Sequence, residues 1–311
     1  MNSAVDLSRL RKQYGRHTAV DSLTLSIEPG TVFGLIGPNG AGKTTTLRMI
    51  LDIIRPTSGT VRVLGEDPRT GGAALRRRIG FIPGELRLDG RMTGRRMLDF
   101  YAEVSGPVPS GTIDRLSSRL GLDLTRPVRT LSKGNKQKLG IVQAFMHEPE
   151  LLVLDEPTSG LDPLVQREFL QLVREARGRG QTVLLSSHVL SEIQQTADAV
   201  AVLSAGRIVA EGDVASLRLG AIRRVRAGFA EVDADELRAE LSRIPHVAEV
   251  EIQNTDGSVR LAATVEGDID PFVKAIARHR IVDLAVEEPD LEESVLRLYG
   301  SPAATTEADD V

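Results

Sequence analysis

Short apolar runs separated by turn-forming segments dominate the first two thirds of the chain. The runs Val32 to Ile36, Leu151 to Leu154 and Thr182 to Leu185 predict buried strands. Apolar residues at helical spacing follow the first run over residues 45–54, and Pro163 starts another helix after the second run. Strands that alternate with helices favour an α/β fold with a parallel sheet.

Weaker patterns complete this first part, which we place at residues 1–220. Between about residues 84 and 150 several segments have helical spacing, and they predict a helical subdomain inserted into the α/β domain. The last helix predicted there covers Leu139 to Met146. Further short strands are predicted at Leu7 to Lys12, Leu23 to Ile27, Thr60 to Leu64, Ile79 to Ile82, Ala199 to Leu203 and Ile208 to Ala210.

A second pattern begins near Ala221. Strands and helices are predicted in the order βαββαβ, which is the ferredoxin-like order, so residues 221–300 are expected to form a small α+β domain. A last helix is predicted to begin near Pro289. Residues 301–311 are small and acidic, and we expect a disordered tail.

Composition limits the classes of function. The chain has 311 residues, 41% of them hydrophobic, enough for two domains, and its lack of cysteine excludes disulfides. No apolar run reaches the roughly 18 residues of a membrane-spanning helix and no signal segment is present, so we expect a cytoplasmic protein. Residues 221–311 carry 10 Lys plus Arg against 20 Asp plus Glu. This acidic second part, with 3% aromatic residues in the whole chain, argues against a nucleic-acid partner.

The strongest chemical signal is a glycine-rich stretch between the first buried strand and its helix. Its glycines let backbone N–H groups turn inward, and the positive end of the helix adds to an anion site. Lys43 would neutralise the outer phosphates of a nucleotide, and the Thr44 hydroxyl would bind Mg²⁺. The alternative is an ordinary glycine turn with a solvated lysine. The stretch comprises Gly37, Pro38, Asn39, Gly40, Ala41, Gly42, Lys43, Thr44 and Thr45.

Two carboxylates follow the second buried strand, where open α/β sheets place their sites. Asp155 and Glu156 are adjacent and are expected to point in different directions. We expect Asp155 to hold the same Mg²⁺ as Thr44, and Glu156 to accept a proton from an attacking water. Structural alternatives remain, since such residues also form loop starts. His188, which follows the third buried strand, is either a surface histidine or a contact to the terminal phosphate.

Taken together, these motifs resemble the nucleotide-binding subunits of ABC transporters over residues 4–215. Tyr14 stands at the family's adenine-stacking position, although an isolated tyrosine of this kind usually serves packing. Leu131 to Gln137 match the family's signature motif, and Ser159 to Asp162 match its D-loop. The residues that the resemblance assigns to the signature and the D-loop are Ser132, Lys133, Gly134, Asn135 and Asp162.

The resemblance implies a mechanism and partners. Two copies of the chain would meet head to tail, with each ATP held between one P-loop and the signature of the opposing copy. Glu156, His188 and Lys43 would carry out ATP hydrolysis with Mg²⁺, and an integral membrane permease would convert opening and closing of the dimer into transport. The protein would therefore lie on the cytoplasmic face of the membrane.

Two departures from the family pattern are present. The family usually has Gln after Pro at the position where this chain has Gly84 and then Glu85, so the contact of that Gln with Mg²⁺ and the permease is in doubt. The signature has Lys133 and Asn135 in place of the commonest Gly and Gln. These variants look like the daunorubicin-resistance type of drug exporter, in which the C-terminal domain helps the subunits to dimerise.

We therefore expect an ATPase subunit of an exporter for drug-like or amphipathic compounds. One alternative is a soluble ABC ATPase that acts on ribosomes or DNA, and another is the ATPase of an importer with a regulatory C-terminal domain.

Overall fold

A computed structural model of the chain describes residues 3–86, 88, 90–214, 222–230, 232–255 and 258–287. The chain divides into two units, one ending at Gly212 and the other beginning at Asp213. The strands of the first unit are β1 (Val5–Tyr14), β2 (His17–Ile27), β3 (Val32–Ile36), β4 (Ser58–Val63), β5 (Ile79–Ile82), β6 (Leu151–Asp155), β7 (Thr182–Ser187), β8 (Ala199–Ser204) and β9 (Arg207–Asp213).

Six of these strands form one sheet in the order β5-β6-β7-β3-β8-β9. The neighbours from β5 to β8 run parallel. Every residue of β3, β6 and β7 is buried, the pattern typical of a sheet covered on both faces. The carboxyl ends of β3, β6 and β7 therefore lie side by side at one edge of the sheet, as the predicted α/β fold requires.

A smaller antiparallel sheet has the order β2-β1-β4. Its Leu7 and Val63 belong to the same apolar core as Leu35 of β3 and Leu47 of the following helix. The sequence predicts these strands but not their pairing into a separate sheet.

The helices of the first unit are α1 (Lys43–Ile50), α2 (Gly72–Arg77), α3 (Gly94–Ser105), α4 (Thr112–Arg119), α5 (Lys133–Phe145), α6 (Pro163–Gly178) and α7 (Leu190–Thr196). Helix α1 ends four residues earlier than predicted, because Asp52 takes a left-handed conformation with φ of 52°. Helix α5 begins six residues before the predicted Leu139, because Ser132 caps it and accepts a hydrogen bond from the Asn135 N–H. Among the described residues, no helix has the length and apolar character to cross a membrane.

The second unit contains β10 (Ile222–Ala230), α8 (Ala234–Leu241), β11 (Val247–Thr255), β12 (Ser258–Glu266), α9 (Asp270–Ile276) and β13 (Ile281–Glu287). This is the βαββαβ order that the sequence predicts. The strands form an antiparallel sheet in the order β11-β12-β10-β13. Phe229, Leu237 and Phe272 lie in its core. The helix predicted near Pro289 and the tail 301–311 lie outside the described residues.

Candidate nucleotide site

The loop between β3 and α1 is held against its neighbours so closely that two positions require glycine. A Cβ added at Gly37 would lie 2.6 Å from the carbonyl oxygen of Leu203. Gly42 has φ of 104°, and its added Cβ would lie 2.6 Å from the carbonyl oxygen of Ala19. The loop is thus fixed between the end of β8 and β2, and its backbone can approach a ligand closely.

Lys43 lies under this loop with only 6% of its surface exposed. Its Nζ donates hydrogen bonds to the carbonyl oxygens of Gly37, at 2.6 Å, and Pro38, at 3.4 Å. The same atom is 3.5 Å from Oε1 of Glu156. Among the described residues no side chain caps the first turn of α1, so its first N–H groups have no side-chain acceptor and can receive an anion.

The carboxylates at the end of β6 point to different partners, as predicted for adjacent residues. Asp155 is 2% exposed, and its Oδ1 accepts a hydrogen bond from the Ser186 hydroxyl at 2.6 Å. Glu156 adopts a left-handed φ of 48°, a strained conformation for this residue type. Its N–H donates to both the carbonyl and the hydroxyl oxygen of Ser186, each at 3.2 Å. Ser186 on β7 therefore contacts the carboxylate of Asp155 and the backbone of Glu156.

His188 completes a row of three side chains. Its Nδ1 is 2.5 Å from Oε2 of Glu156, while Lys43 approaches the other oxygen of that carboxylate. The histidine side chain is 59% exposed and the glutamate side chain 20%. The structure thus brings together Lys43, Glu156 and His188, which the sequence analysis assigned to ATP hydrolysis from three separate motifs.

A cavity of about 420 Å³ lies over these groups. Sequence reasoning missed His17 and Ala19 in its wall. Residue His17 pairs with Tyr14 across the β1–β2 hairpin, so the hairpin turn after Tyr14 was the available signal. The wall is formed by Tyr14, His17, Ala19, Pro38, Asn39, Gly40, Ala41, Gly42, Lys43, Thr44, Thr45, Gly84, Glu156, Ser159 and His188.

Gly84 and Glu85, the two residues at the unusual position, face different cavities. Gly84 lines the nucleotide cavity, and a Cβ added there would lie 2.9 Å from Oδ2 of Asp155. Glu85 lines a neighbouring cavity of about 690 Å³ between β5, α3 and α5. The structure therefore brings Gly84 to the Asp155 carboxylate, while Glu85 lines the neighbouring cavity.

The signature residues lie beside the D-loop of the same chain. The Lys133 Nζ donates to the Ser159 hydroxyl at 3.3 Å. A Cβ on Gly134 would lie 2.8 Å from the carbonyl oxygen of Gly160. Asp162 caps α6, where its Oδ1 accepts hydrogen bonds from two N–H groups at 3.1 Å. Ser132, Lys133, Gly134 and Asn135 do not line the cavity over Lys43 in the described part of the chain.

The donor set fits a magnesium nucleotide. The described residues contain no group of three or more His, Cys, Asp or Glu side chains that could hold a metal ion by themselves. Thr44 and Asp155 offer one hydroxyl and one carboxylate, which are hard oxygen donors. Mg²⁺ is commonly bound by one or two such groups together with phosphate oxygens and water, so this small set fits that ion.

An anion site at the start of a helix, with carboxylates at the end of another parallel strand of the same sheet, is the arrangement of P-loop nucleoside triphosphatases. Residues 20–159 match the profile of a family described as ABC transporter. The chain is 39% identical over 214 residues to the bacitracin transport ATP-binding protein BcrA of Bacillus licheniformis, covering 68% of this chain and 70% of that protein.

Similarity extends along the whole chain in another relative. The daunorubicin resistance ATP-binding protein DrrA3 of Streptomyces coeruleorubidus is 34% identical over 323 residues, which cover 99% of each protein. A solved structure described as the ATP binding subunit of an ABC transporter has a TM-score of 0.65 and 31% identity, over 70% of this chain and 92% of that one. The chain therefore belongs to the ATP-binding subunits of ABC transporters, which are ATP-hydrolysing enzymes, and the resemblance drawn from its motifs is confirmed.

Proposed function

We propose that this ATPase powers the export of drug-like or amphipathic compounds through a separate membrane permease. The observation that carries the proposal is the 34% identity over 99% of both chains to a daunorubicin resistance ATP-binding protein, since it includes the second unit as well as the ATPase. The similarity to a bacitracin transport protein also favours an exporter ATPase over an ATPase that acts on ribosomes or DNA. The protein then acts at the cytoplasmic face of the membrane, attached through the permease.

The contacts within the cavity support a different role in hydrolysis for each residue. Lys43 binds the outer phosphates, exchanging its contacts with the loop carbonyls for phosphate oxygens. Glu156 orients the attacking water and accepts its proton, and His188 holds the terminal phosphate while its ring stays against Glu156. Tyr14 stacks on the base, since it is 48% exposed at the rim of the cavity. Mg²⁺, held by Thr44 and Asp155, supplies neutralisation of the phosphate charge when bound.

The nucleotide site is completed by a second copy of the chain. Ser132 and Gly134 lie at the start of α5, where N–H groups can receive an anion, yet neither lines the cavity over Lys43 within the described residues. In a head-to-tail dimer the start of α5 faces the ATP of the opposing copy. Binding of ATP then closes the dimer, and hydrolysis removes the contacts that keep it closed.

The permease is proposed to dock at the cavity between β5, α3 and α5. Apolar side chains line it, including Phe81, Met97 and Leu139, and Phe100 on α3 is 53% exposed beside it. Exposed apolar surface of this kind marks protein contact sites. Glu85 lies in the same wall, adjacent to Gly84 at the nucleotide cavity, so the two sites are one residue apart.

The role of Glu156 is tested by Glu156→Gln, with Glu103→Gln on the exposed surface of α3 as the control. We expect steady-state ATP hydrolysis to fall by about 10²-fold or more, because the amide cannot accept the proton of the water. ATP binding should persist, and ATP should shift the variant to a dimer in size-exclusion chromatography. Hydrolysis at the wild-type rate would remove Glu156 from this role.

Export is tested by reconstitution with a membrane permease that co-purifies with this chain. In proteoliposomes we expect daunorubicin or bacitracin to stimulate ATP hydrolysis and to be moved across the bilayer only when ATP is present. The Glu156→Gln variant serves as the transport-dead control. Absence of stimulation and movement with both compounds, in vesicles that retain basal hydrolysis, would contradict the assignment to this class of cargo.

A further inference from the structure

A buried carboxylate lies behind the Glu156–His188 pair. Glu192 on α7 is 5% exposed, and its Oε2 accepts hydrogen bonds from the Thr158 hydroxyl, at 2.9 Å, and the Ser187 hydroxyl, at 3.1 Å. Thr158 is 5% exposed and Ser187 is 1% exposed. The three side chains therefore form a polar cluster that is shielded from water.

The two hydroxyl donors belong to the segments that carry the hydrolytic residues. Thr158 follows Glu156 by two positions, and Ser187 directly precedes His188. Since His188 and Glu156 meet at 2.5 Å, the backbone and these contacts form a closed ring. Glu192 adds a side-chain link between these two segments, which Ser186 also joins by accepting hydrogen bonds from the Glu156 N–H.

The cost of burying Glu192 indicates that this residue positions the segments it contacts rather than stabilises the fold. Burial raises the pKa of its carboxyl group, although the hydrogen bonds from Thr158 and Ser187 act in the opposite direction. Burying a carboxyl group is costly, and apolar residues of similar size often replace buried charged groups without loss of stability. The specific benefit of a carboxyl group here is that one oxygen receives both hydroxyl groups and so fixes the distance between their segments.

We propose that Glu192 is a positioning residue for ATP hydrolysis, which holds the segment after Glu156 and the segment before His188 at the spacing that keeps these two side chains in contact. The inference rests on the roles proposed above for Glu156 and His188. Glu192 itself does not line the nucleotide cavity.

The test compares Glu192→Ala and Glu192→Gln with the control Gln181→Ala. Gln181 is also buried, at 6% exposure, and its Nε2 donates to the Pro149 carbonyl beside the opposite end of β7. We expect Glu192→Ala to lower kcat by about 10-fold to 100-fold, because displacements near 1 Å have effects of that size, while KM for ATP changes less than about twofold. Glu192→Gln should recover most of kcat, because its amide oxygen can accept from both hydroxyls.

The control should lose stability but not kcat, with rates normalised to folded protein by circular dichroism. A second variant, Thr158→Val, removes one hydroxyl at nearly constant volume. As a single change, Thr158→Val should lower kcat. In the Glu192→Ala background it should have no further effect, since both changes remove the same contact. The inference would be overturned if the effects of Glu192→Ala and Thr158→Val on kcat were fully additive. It would also be overturned if Glu192→Ala lowered kcat no more than Gln181→Ala does.

The same measurements separate the two levels of the proposal. If Glu156→Gln hydrolyses ATP normally, the proposed roles fail. If Glu156→Gln is inactive and Glu192→Ala retains wild-type kcat, only the positioning role of Glu192 fails.

Discussion

The substitution Gly134→Ala separates stability from activity at the signature. Gly134 lies in the first turn of α5, and a helix favours Ala over Gly by up to about 1 kcal/mol. The added Cβ would lie 2.8 Å from the Gly160 carbonyl oxygen, whereas unstrained contacts begin near 3.5 Å. Forcing a methyl group into such a space costs about 1–3 kcal/mol. The two effects oppose each other, so we expect a net loss of stability of about 1 kcal/mol.

The expected effect on hydrolysis is much larger. The clash is relieved by moving α5 and the D-loop apart by a distance on the order of 0.5–1 Å. Because misplacement by 1 Å at a catalytic site can cost 10²-fold in rate, hydrolysis by the folded variant should fall by about 10-fold or more. The measurements are urea denaturation for stability and ATP hydrolysis per folded molecule for activity.

Gly178→Ala provides the matched control. Gly178 is the last residue of α6, and an added Cβ there meets nothing within 4 Å. This variant should gain stability or remain unchanged, with wild-type hydrolysis. The reasoning would be refuted if Gly134→Ala hydrolysed ATP at the wild-type rate, or if its loss of activity only matched its unfolded fraction.

Two further predictions concern the metal site and an ion pair. Gly84→Ala should displace the Asp155 carboxylate, because the added Cβ would lie 2.9 Å from its Oδ2. We therefore expect the Mg²⁺ concentration for half-maximal ATP hydrolysis to rise several-fold. An unchanged dependence of hydrolysis on Mg²⁺ would contradict this. Arg119 on α4 donates two hydrogen bonds to Glu175 on α6, at 2.6 and 2.9 Å, and these hold the pKa of Glu175 below its ordinary value. The lowered pKa means that the pair stabilises the folded state above the unfolded pKa of about 4.3 and loses this effect as pH falls through the folded value. Arg119→Met should therefore be less stable than wild type at pH 7, with the difference in free energy of unfolding shrinking below pH 4; a difference independent of pH would exclude the pair as its source.

Elements that depend on local pattern could be predicted from the sequence. The strand, glycine loop and helix around Lys43 follow from an apolar run, glycines and helical spacing that are contiguous in the chain. The same holds for β6 and the carboxylates that follow it. The order of elements in the second unit could also be predicted, because each strand and each helix there has its own local pattern of apolar residues.

Features that depend on distant contacts could not be predicted. The sequence indicates Ser132 as a possible helix cap, but it places the helix only from Leu139, because residues 133–138 are mostly polar and lack apolar residues at helical spacing. His17 reaches the cavity through pairing across a hairpin. Glu192 has no role in the sequence analysis, because its burial depends on the packing of α7 against α6, β3 and β7.

Three contacts within one chain tie the start of α5 to the segment that follows Glu156. Gln137 is 5% exposed and donates to the Pro157 carbonyl at 2.8 Å, Gly134 lies against Gly160, and Lys133 reaches Ser159. Because the first of these is buried and the second leaves no room for a methyl group, the two segments move together or strain each other. We therefore expect a ligand that shifts the first turn of α5 to shift the segment after Glu156 as well. By linkage, a nucleotide bound beside that segment would then affect binding at the signature by the same coupling free energy.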